Sequence, residues 1–490
     1  MEKYFMKMRP FAVLFLLTAI LASCGDSGTN PAETTIGAQD TASVLETGED
    51  IVQYPGDTQD FGGYEFTFLN QEDDFWDGAN HVIDYEAETG DPIEDAVYLR
   101  NRTAEDKLNF KIKVIKSDIN KMRSEMTKAV SAGEDAYDVV YLPLYFGGSS
   151  FGSEHVLNLK TVDTLQFDQP WWNSSFIEAA TLQDDVLYTT IDYVNLMGYA
   201  YANILCFNKD MMRNLAFDDS PYDLVRSGKW TYDAMLSYMK SAVNMGSQTD
   251  FKPDLNGDAV YGFACQHEEG PLMLMQGSGS FLVTVDENRT PMLEEDLTRL
   301  SNVCDKLTAM LSQPGHCVMV NVEGHQGLDY FLNGRALFYH ASLGQCGSAR
   351  FRDMEQEFGI LPAPKYDEAQ ERYFTNLSQY TFGMNIPVTA QDPQRTGSIM
   401  DYLAFLSYYD AIPVLQESLC YKGMRDEDSI EMMNLIMETE VIDLTTAAGI
   451  ANEQMSNICK NIVQGKPQFA SYMEKQAKKI NSNIEKLFGE

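Results

Sequence analysis

The first part of the chain after residue 60 alternates strand-like and helix-like segments, and this alternation most limits the possible folds. The short apolar segments typical of strands are 64–69, 110–114 and 138–142. A helix-like segment begins at Asp91-Pro92, where Asp suits an N-cap and Pro the first helical position, and a second runs over about 118–132. Strand, helix, strand, helix, strand predicts a parallel sheet covered by helices, so the fold class is α/β.

The same pattern continues towards the C-terminus. Thr231 caps a predicted helix after Trp230, and the segment 331–340 predicts a helix end, an Asn-Gly turn and a short strand. A further helix is predicted to begin at Asp392-Pro393, and the last fifty residues are predicted to be helical. With 44% hydrophobic residues, a body of about 430 residues is ample for a core but too long for one compact domain. We therefore expect two lobes.

The N-terminal residues 1–23 are predicted to be an export signal. Lys3, Lys7 and Arg9 precede an apolar run over 11–21, which is shorter than the roughly 20 residues that a spanning helix needs. The following Leu-Ala-Ser-Cys resembles the lipobox of bacterial lipoproteins. This resemblance implies that Cys24 is diacylated and anchors the protein to the outer face of the cell membrane.

Residues 24–60 are predicted to be a disordered tether. Positions 25–60 contain eight acidic residues and no Lys or Arg, so they cannot bury enough apolar surface to offset their ordering entropy. The whole chain carries a formal net charge of −37. This charge argues against nucleic acid or anionic lipid head groups as a partner.

The cysteines beyond Cys24 are scattered and form no C-x-x-C pair. They are Cys206, Cys265, Cys304, Cys317, Cys346, Cys420 and Cys459. This spacing indicates buried thiols rather than a disulfide framework or a zinc site. We predict no cofactor and no metal centre.

A series of short motifs runs in order along the chain from about Phe61 to the C-terminus. They are Gly90–Tyr98 with Arg100-Asn101, Tyr137–Val140, Trp171–Asn173, Cys206–Lys209, Gly228–Thr231, Phe331–Ala336 and Leu361–Lys365. In this order, and behind a lipobox, they resemble the extracellular solute-binding proteins of carbohydrate ABC importers, the group shaped like maltose-binding protein.

The resemblance implies two α/β lobes that close on a ligand by a hinge motion and deliver it to membrane permease subunits. The implied parts are lobe 1 (61–197 plus about 384–435), lobe 2 (about 205–380), helices that pack across both (about 436–490), and crossings at 197–205 and 381–384. It implies a non-catalytic, monomeric protein that captures a sugar or oligosaccharide. Ligand capture would shift an open–closed equilibrium towards the closed form.

Candidate ligand residues follow from the chemistry of a sugar, whose C–H faces suit aromatic rings and whose hydroxyls suit polar side chains. Positions after predicted strands, and positions that the resemblance places at the cleft edge, supply them: Trp76, Tyr145, Trp172, Asp192, Tyr193, Tyr339 and His340. Trp230, just before a helix cap, is predicted to pack instead.

Two motifs point to other chemistries. Asp254, Asn256 and Asp258 resemble the start of a calcium loop, but position 12 is Cys265 instead of the bidentate Glu, which favours a plain acidic turn. Gly148–Gly152 has the pattern G-x-S-x-G around Ser150, although the residues after it are a poor start for a supporting helix. The alternatives left open are therefore a secreted serine hydrolase, a glycosidase that uses two carboxylates, and an anchored glycan-adhesion protein.

Overall fold

The computed structural model describes residues 52–72, 81–145, 154–215, 217–320, 326–419, 426–466 and 468–488. By its internal contacts the chain divides between Gln53 and Tyr54, and all described strands and helices belong to the unit Tyr54–Glu490.

Thirteen strands are found in the described residues. They are β1 Tyr64–Gln71, β2 Phe110–Ser117, β3 Val139–Pro143, β4 Asn203–Asn208, β5 Tyr261–Gln266, β6 Val283–Val285, β7 Pro291–Leu293, β8 Cys317–Val320, β9 Ala336–Ser342, β10 Phe358–Leu361, β11 Thr375–Asn376, β12 Phe382–Asn385 and β13 Glu440–Val441. Two larger sheets contain nine of them, and β6–β7 and β11–β13 form separate pairs.

Seventeen α-helices in the described residues surround these sheets. They are α1 Pro92–Leu108, α2 Ile119–Ala132, α3 Ser174–Ala180, α4 Met197–Ala200, α5 Lys209–Asn214, α6 Pro221–Arg226, α7 Tyr232–Ala242, α8 Glu269–Gly277, α9 Thr298–Leu311, α10 Gln326–Leu332, α11 Ala349–Arg352, α12 Pro393–Leu406, α13 Ile412–Ser418, α14 Glu427–Glu438, α15 Leu444–Ala447, α16 Asn452–Val463 and α17 Phe469–Phe488. A π-helical turn, Ser407–Ala411, joins α12 to α13.

The first sheet has the order β12-β3-β1-β2. The strands β1, β2 and β3 are parallel, as the strand–helix alternation predicted, and all five residues of β3 are buried. The strand β12 runs antiparallel to β3, so the sheet is mixed rather than purely parallel. Helical crossover connections join β1, β2 and β3 and make these strands parallel. The strand β12 enters from a distant part of the sequence, so no such connection sets its direction.

The second sheet has the order β10-β4-β9-β5-β8. Its strands β5, β8 and β9 are parallel, whereas β4 is antiparallel to both of its neighbours. The chain thus passes from the first sheet to the second between β3 and β4, and returns between β10 and β12. The arrangement is a two-lobed α/β fold. The lobe boundaries given above remain predictions.

The first long helix begins where its sequence predicted. The side chain of Asp91 accepts hydrogen bonds from the backbone N–H groups of Ile93 and Glu94, and Pro92 occupies the first turn. Glu94 does not form a capping box with Asp91. Its carboxylate accepts a hydrogen bond from the hydroxyl of Thr89, 2.6 Å away, and the backbone N–H of Asp91 donates to that same hydroxyl at 3.2 Å.

The predicted tether ends before residue 60. The Tyr54 hydroxyl donates to Asp401 at 2.8 Å, and its ring packs against Trp171, Tyr402 and Phe405. This aromatic burial offsets the entropy of ordering the segment, which composition alone did not indicate. Tyr54 therefore packs on the folded body, although it lies within the predicted tether.

Trp230 packs as predicted, because it is fully buried and its indole N–H donates to the carbonyl of Pro362 at 3.0 Å. Buried thiols were also predicted, and five of the six cysteines in the described residues are buried free thiols, whereas Cys317 is partly exposed. Among the described helices, none combines the length and apolar character that crossing a bilayer requires.

Candidate functional site

Two adjoining cavities, of about 340 Å³ and about 400 Å³, open where the two sheets approach each other. They share four lining residues: Glu268, Leu272, Gln379 and Tyr380. The first is also lined by His267, Glu269 and Lys460, and the second by Tyr145, Thr446, Asn452, Glu453, Met455 and Ser456. We refer to the two together as the cleft cavity.

The position of the cleft cavity follows from the topology of the sheets. Tyr145 lies two residues beyond the end of β3, and Glu268 lies two residues beyond the end of β5. Both strands belong to the parallel part of their sheet, and ligands of open α/β sheets bind outside the carboxyl ends of such strands. Each sheet therefore contributes its strand ends to one shared space.

The returning segment between the sheets forms the wall next to β3. The backbone N–H of Tyr145 donates to the carbonyl of Gln379 at 3.0 Å, and that of Leu144 donates to the carbonyl of Thr381 at 2.9 Å. These bonds fix Tyr380 beside Tyr145, with ring centroids 5.3 Å apart and planes inclined by 66°. The pair offers half-buried aromatic surface to the cavity.

Burial keeps both tyrosine hydroxyls protonated. Desolvation raises the pKa of Tyr380 to about 12, and the negative charge of Glu269 adds to the effect. Burial likewise raises the pKa of Tyr145. Each hydroxyl can thus donate a hydrogen bond to a ligand at neutral pH.

Glu268 joins the start of α8 to the C-terminal helix α16. Its carboxylate accepts a hydrogen bond from the hydroxyl of Ser456 and lies 3.6 Å from Nζ of Lys460. Lys460 also donates to Ser456 at 2.9 Å. This carboxylate therefore has its counter-charge within the protein.

Glu269 is in a different situation, although it is the next residue. Desolvation raises its pKa to about 7, and the neighbouring Glu268 adds to the rise. About a third of its side chain, 35%, still reaches solvent through the cavity. Its Oε2 lies 4.0 Å from Nδ1 of His340, which is beyond hydrogen-bonding distance.

Of the predicted ligand residues, Tyr145 lines the cleft cavity. His340 is not in the lining itself, but its Nδ1 lies 4.0 Å from the carboxylate of the lining residue Glu269. Burial lowers the pKa of His340 to about 4, so the ring is neutral at physiological pH, and its Nε2 lies 3.1 Å from Oδ1 of Asn203. Tyr339, the residue before it, is 1% exposed and its ring stacks on Phe331. A neighbour in sequence on a strand points to the opposite face, and Tyr339 therefore packs in the core.

Trp172 and Asp192 are buried away from the cavity lining. The indole N–H of Trp172 donates to Asp401 at 2.7 Å. The carboxylate of Asp192 accepts from the Tyr141 hydroxyl at 2.9 Å and from the backbone N–H groups of Val194 and Asn195. Their polar atoms are satisfied by the protein itself, and this placement does not favour ligand contact.

Tyr193 packs among other tyrosines. Its ring stacks on Tyr408, with centroids 6.3 Å apart, and meets Tyr199 edge-on. Trp76, Cys24 and the Gly148–Gly152 motif with Ser150 lie outside the described residues. The roles predicted for them stay predictions.

The calcium-like loop forms an acidic turn. Oδ1 of Asp254 accepts from the backbone N–H of Asn256 at 2.9 Å, and the Asp258 carboxylate accepts from the backbone N–H of Ser247. In the part of the chain that the structure describes, no group of three or more His, Cys, Asp or Glu side chains is placed to hold a metal ion.

Sequence reasoning missed Glu268, Glu269, Gln379 and Tyr380. The sequence did contain a signal for Glu268 and Glu269. An apolar, strand-like segment over 261–265 precedes them, and residues that follow such strands often contact ligands. Gln379 and Tyr380 directly precede the predicted second crossing at 381–384. Their pairing with Tyr145 requires a contact across more than 230 residues, which no local pattern encodes.

Comparison with known proteins agrees with this architecture. No protein-family model matches the sequence, and no curated protein sequence is significantly similar to it. Solved structures match nearly the whole body. An ABC substrate-binding protein from Listeria monocytogenes, in complex with cycloalternan, is 14% identical with a TM-score of 0.52, covering 87% of this chain and 99% of that chain.

Two further structures show the same likeness. The cyclic alpha-maltosyl-1,6-maltose binding protein from Arthrobacter globiformis is 13% identical with a TM-score of 0.55, covering 87% of this chain and 100% of its own. An ABC transporter solute-binding protein from Thermotoga lettingae, bound with alpha-D-tagatose, is 13% identical with a TM-score of 0.54, covering 86% and 100%. The fold of this chain is the two-lobed fold of ABC solute-binding proteins.

Proposed function

We propose that this chain is the solute-binding component of an ABC importer and captures a sugar or oligosaccharide in the cleft cavity without changing it chemically. The observation that carries the proposal is the joint lining of that cavity by Tyr145 from the first sheet and by Glu268 and Glu269 from the second. A ligand that contacts both edges is bound best when the edges approach each other. Binding would then favour a closed form.

The chemistry of the cavity suits a saccharide. The Tyr145 and Tyr380 rings can cover apolar C–H faces, and Gln379, Asn452 and the carboxylates can bind hydroxyls. The fold is shared with proteins whose structures contain cycloalternan and alpha-D-tagatose. The predicted signal peptide and lipidation at Cys24 complete the proposal, by placing the protein outside the cell beside a membrane permease.

A thermal-shift screen of the purified chain against mono-, di- and oligosaccharides tests this function. We expect one class of saccharide to raise the melting temperature in proportion to the logarithm of its concentration, because it binds only the folded form. Mass spectrometry of the recovered ligand should show it unchanged. Turnover of the saccharide, or the absence of any stabilising saccharide across the panel, would contradict the proposal.

A further inference from the structure

The charges that line the cleft cavity do not balance. It contains three carboxylates: Glu268, Glu269 and Glu453. Glu268 has Lys460 at 3.6 Å, and Glu453 has Lys479 at 2.7 Å. Within the described residues, Glu269 forms no ion pair with a lysine or arginine. The cavity therefore has one carboxylate for which the described residues supply no positively charged partner.

The imidazole of His340, which lies beside Glu269, cannot supply a positive charge. His340 faces Glu269 with Nδ1, 4.0 Å from the carboxylate, and the imidazole side chain is only 6% exposed. This nitrogen forms no hydrogen bond with any residue that the structure describes, since the recorded bond of the ring is that of Nε2 to Asn203. Burial keeps the ring neutral by lowering its pKa to about 4.

The raised pKa of Glu269 reflects the same lack of a positively charged neighbour. Its pKa is raised to about 7 by desolvation and by Glu268, and no positive group of the described residues counteracts the rise. The other titratable groups near it are Tyr339, Tyr380 and Cys265, whose pKa values are all raised, and the cavity-lining residues His267, Glu268 and Lys460, the last two of which pair with each other. A cation placed beside Glu269 would find a carboxylate without a competing partner.

The aromatic pair beside Glu269 suits a cation as well as a sugar face. Glu269 and the ring of Tyr380 line the same cavity. Aromatic faces attract ammonium groups, most strongly where water is partly excluded. The net charge of −37 further favours the approach of cationic over anionic ligands.

We propose that the cleft cavity selects saccharides that carry a protonated amine, with Glu269 as the counter-ion of that amine. This inference rests on the proposed function, since it names the class of sugar that the same cavity captures. Lys460 and Lys479 leave Glu268 and Glu453 neutralised, so a single ammonium group matches the charge of the site.

Three disaccharides with the same β-1,4 skeleton test the inference: the glucosamine disaccharide, its N-acetylated form and cellobiose. Calorimetric titration at pH 7, near the pKa of Glu269, leaves both this carboxylate and the amines substantially charged. We expect the amine form to bind the chain about tenfold more tightly than the other two, as a hydrogen-bonded charge pair in a partly buried site would give. Raising the salt concentration should weaken the amine form and leave cellobiose unchanged.

The Glu269→Gln variant should bind all three disaccharides equally, whereas the exposed control Glu295→Gln should keep the tenfold preference. The salt titration uses the unmodified chain and so does not depend on the folding of a variant. If cellobiose or the N-acetylated form binds as tightly as the amine, the inference is wrong and the proposed function stands. If no saccharide of these or of the wider panel binds, the proposed function fails as well.

Discussion

The indole N–H of Trp172 donates a hydrogen bond to Oδ1 of Asp401 over 2.7 Å, across 229 residues of sequence. Trp171 donates to the same oxygen at 3.1 Å, while Tyr54 and Gln166 donate to Oδ2. One buried carboxylate on α12 thus connects Tyr54 with the loop before α3. It also explains why a tryptophan predicted to meet the ligand packs in the core.

Removal of this carboxylate should destabilise the protein strongly. Asp401→Ala would leave two buried indole N–H groups without their acceptor and would remove the acceptor of the half-buried Tyr54 hydroxyl, so we expect a loss of about 3 kcal/mol in the free energy of unfolding. Urea denaturation of the variant measures this loss. The exposed control Asp168→Ala should change stability by less than about 0.5 kcal/mol. Equal midpoints for the two variants would contradict the role of Asp401.

Local patterns were sufficient to predict the three parallel strands of the first sheet, but not its antiparallel strand β12. The bounds of β1, β2 and β3 were predicted within three residues, because apolar runs and helix caps such as Asp91 leave few alternatives. The strand β5 was missed, since Gly262 weakens a strand pattern. The structure gives a reason for this glycine, because a Cβ there would lie 2.7 Å from Cβ of Met239 and 3.1 Å from the carbonyl of His316.

The candidate site was less predictable than the fold. Tyr145 was found because it follows a strand, which is a local signal. The positions of Tyr380 and Glu269 depend on two segments that cross between the sheets and meet only in the folded chain. For Trp172, the sequence shows an amphipathic ring but not that Asp401 would satisfy its N–H. Which polar partner a side chain finds is decided by packing.

The aromatic pair should dominate saccharide affinity. Tyr380→Ala removes the ring that packs edge-on against Tyr145, and we expect at least about a tenfold loss of affinity for the saccharide that the screen identifies. Tyr380→Phe keeps the ring and should lose less. Calorimetric titration measures both variants, and Tyr98→Ala on α1, outside the cavity lining, is the control. Unchanged affinity in Tyr380→Ala would show that the ligand binds elsewhere.

Glu440 should make stability depend on pH. It is 2% exposed and accepts a hydrogen bond from Asn173, and desolvation raises its pKa to about 8. The native state therefore keeps this proton to higher pH than the unfolded chain, in which the pKa is about 4.3. Its contribution to the free energy of unfolding is consequently complete below about pH 4 and is lost as the pH rises to 8.

The variant Glu440→Gln cannot titrate and removes this contribution. Between pH 5 and pH 8, we expect its stability to fall less than that of the unmodified chain, by on the order of 2–4 kcal/mol. Urea denaturation at the two pH values measures the difference. The exposed control Glu438→Gln should follow the unmodified chain. If both variants show the same pH dependence, Glu440 is ionised in the native state and this account of it is wrong.

The buried thiols should be unreactive in the native protein. Burial raises the pKa values of Cys206, Cys265 and Cys459 well above the usual range, whereas Cys317 is partly exposed. Because the thiolate is the reactive form, we expect iodoacetamide to modify Cys317 first and the other three only after unfolding. Mass spectrometry of digested peptides measures each rate. Equal native rates for Cys206 and Cys317 would contradict the packing of β4.

The central claim is that the carboxyl ends of two sheets close on one saccharide in the cleft cavity. Small-angle X-ray scattering of the purified chain, with and without the saccharide that stabilises it most, tests this directly. We predict that saturation with the ligand lowers the radius of gyration, and that Tyr380→Ala requires more ligand for the same change. A scattering profile that stays the same while calorimetry shows the saccharide bound would contradict closure of the two lobes around it.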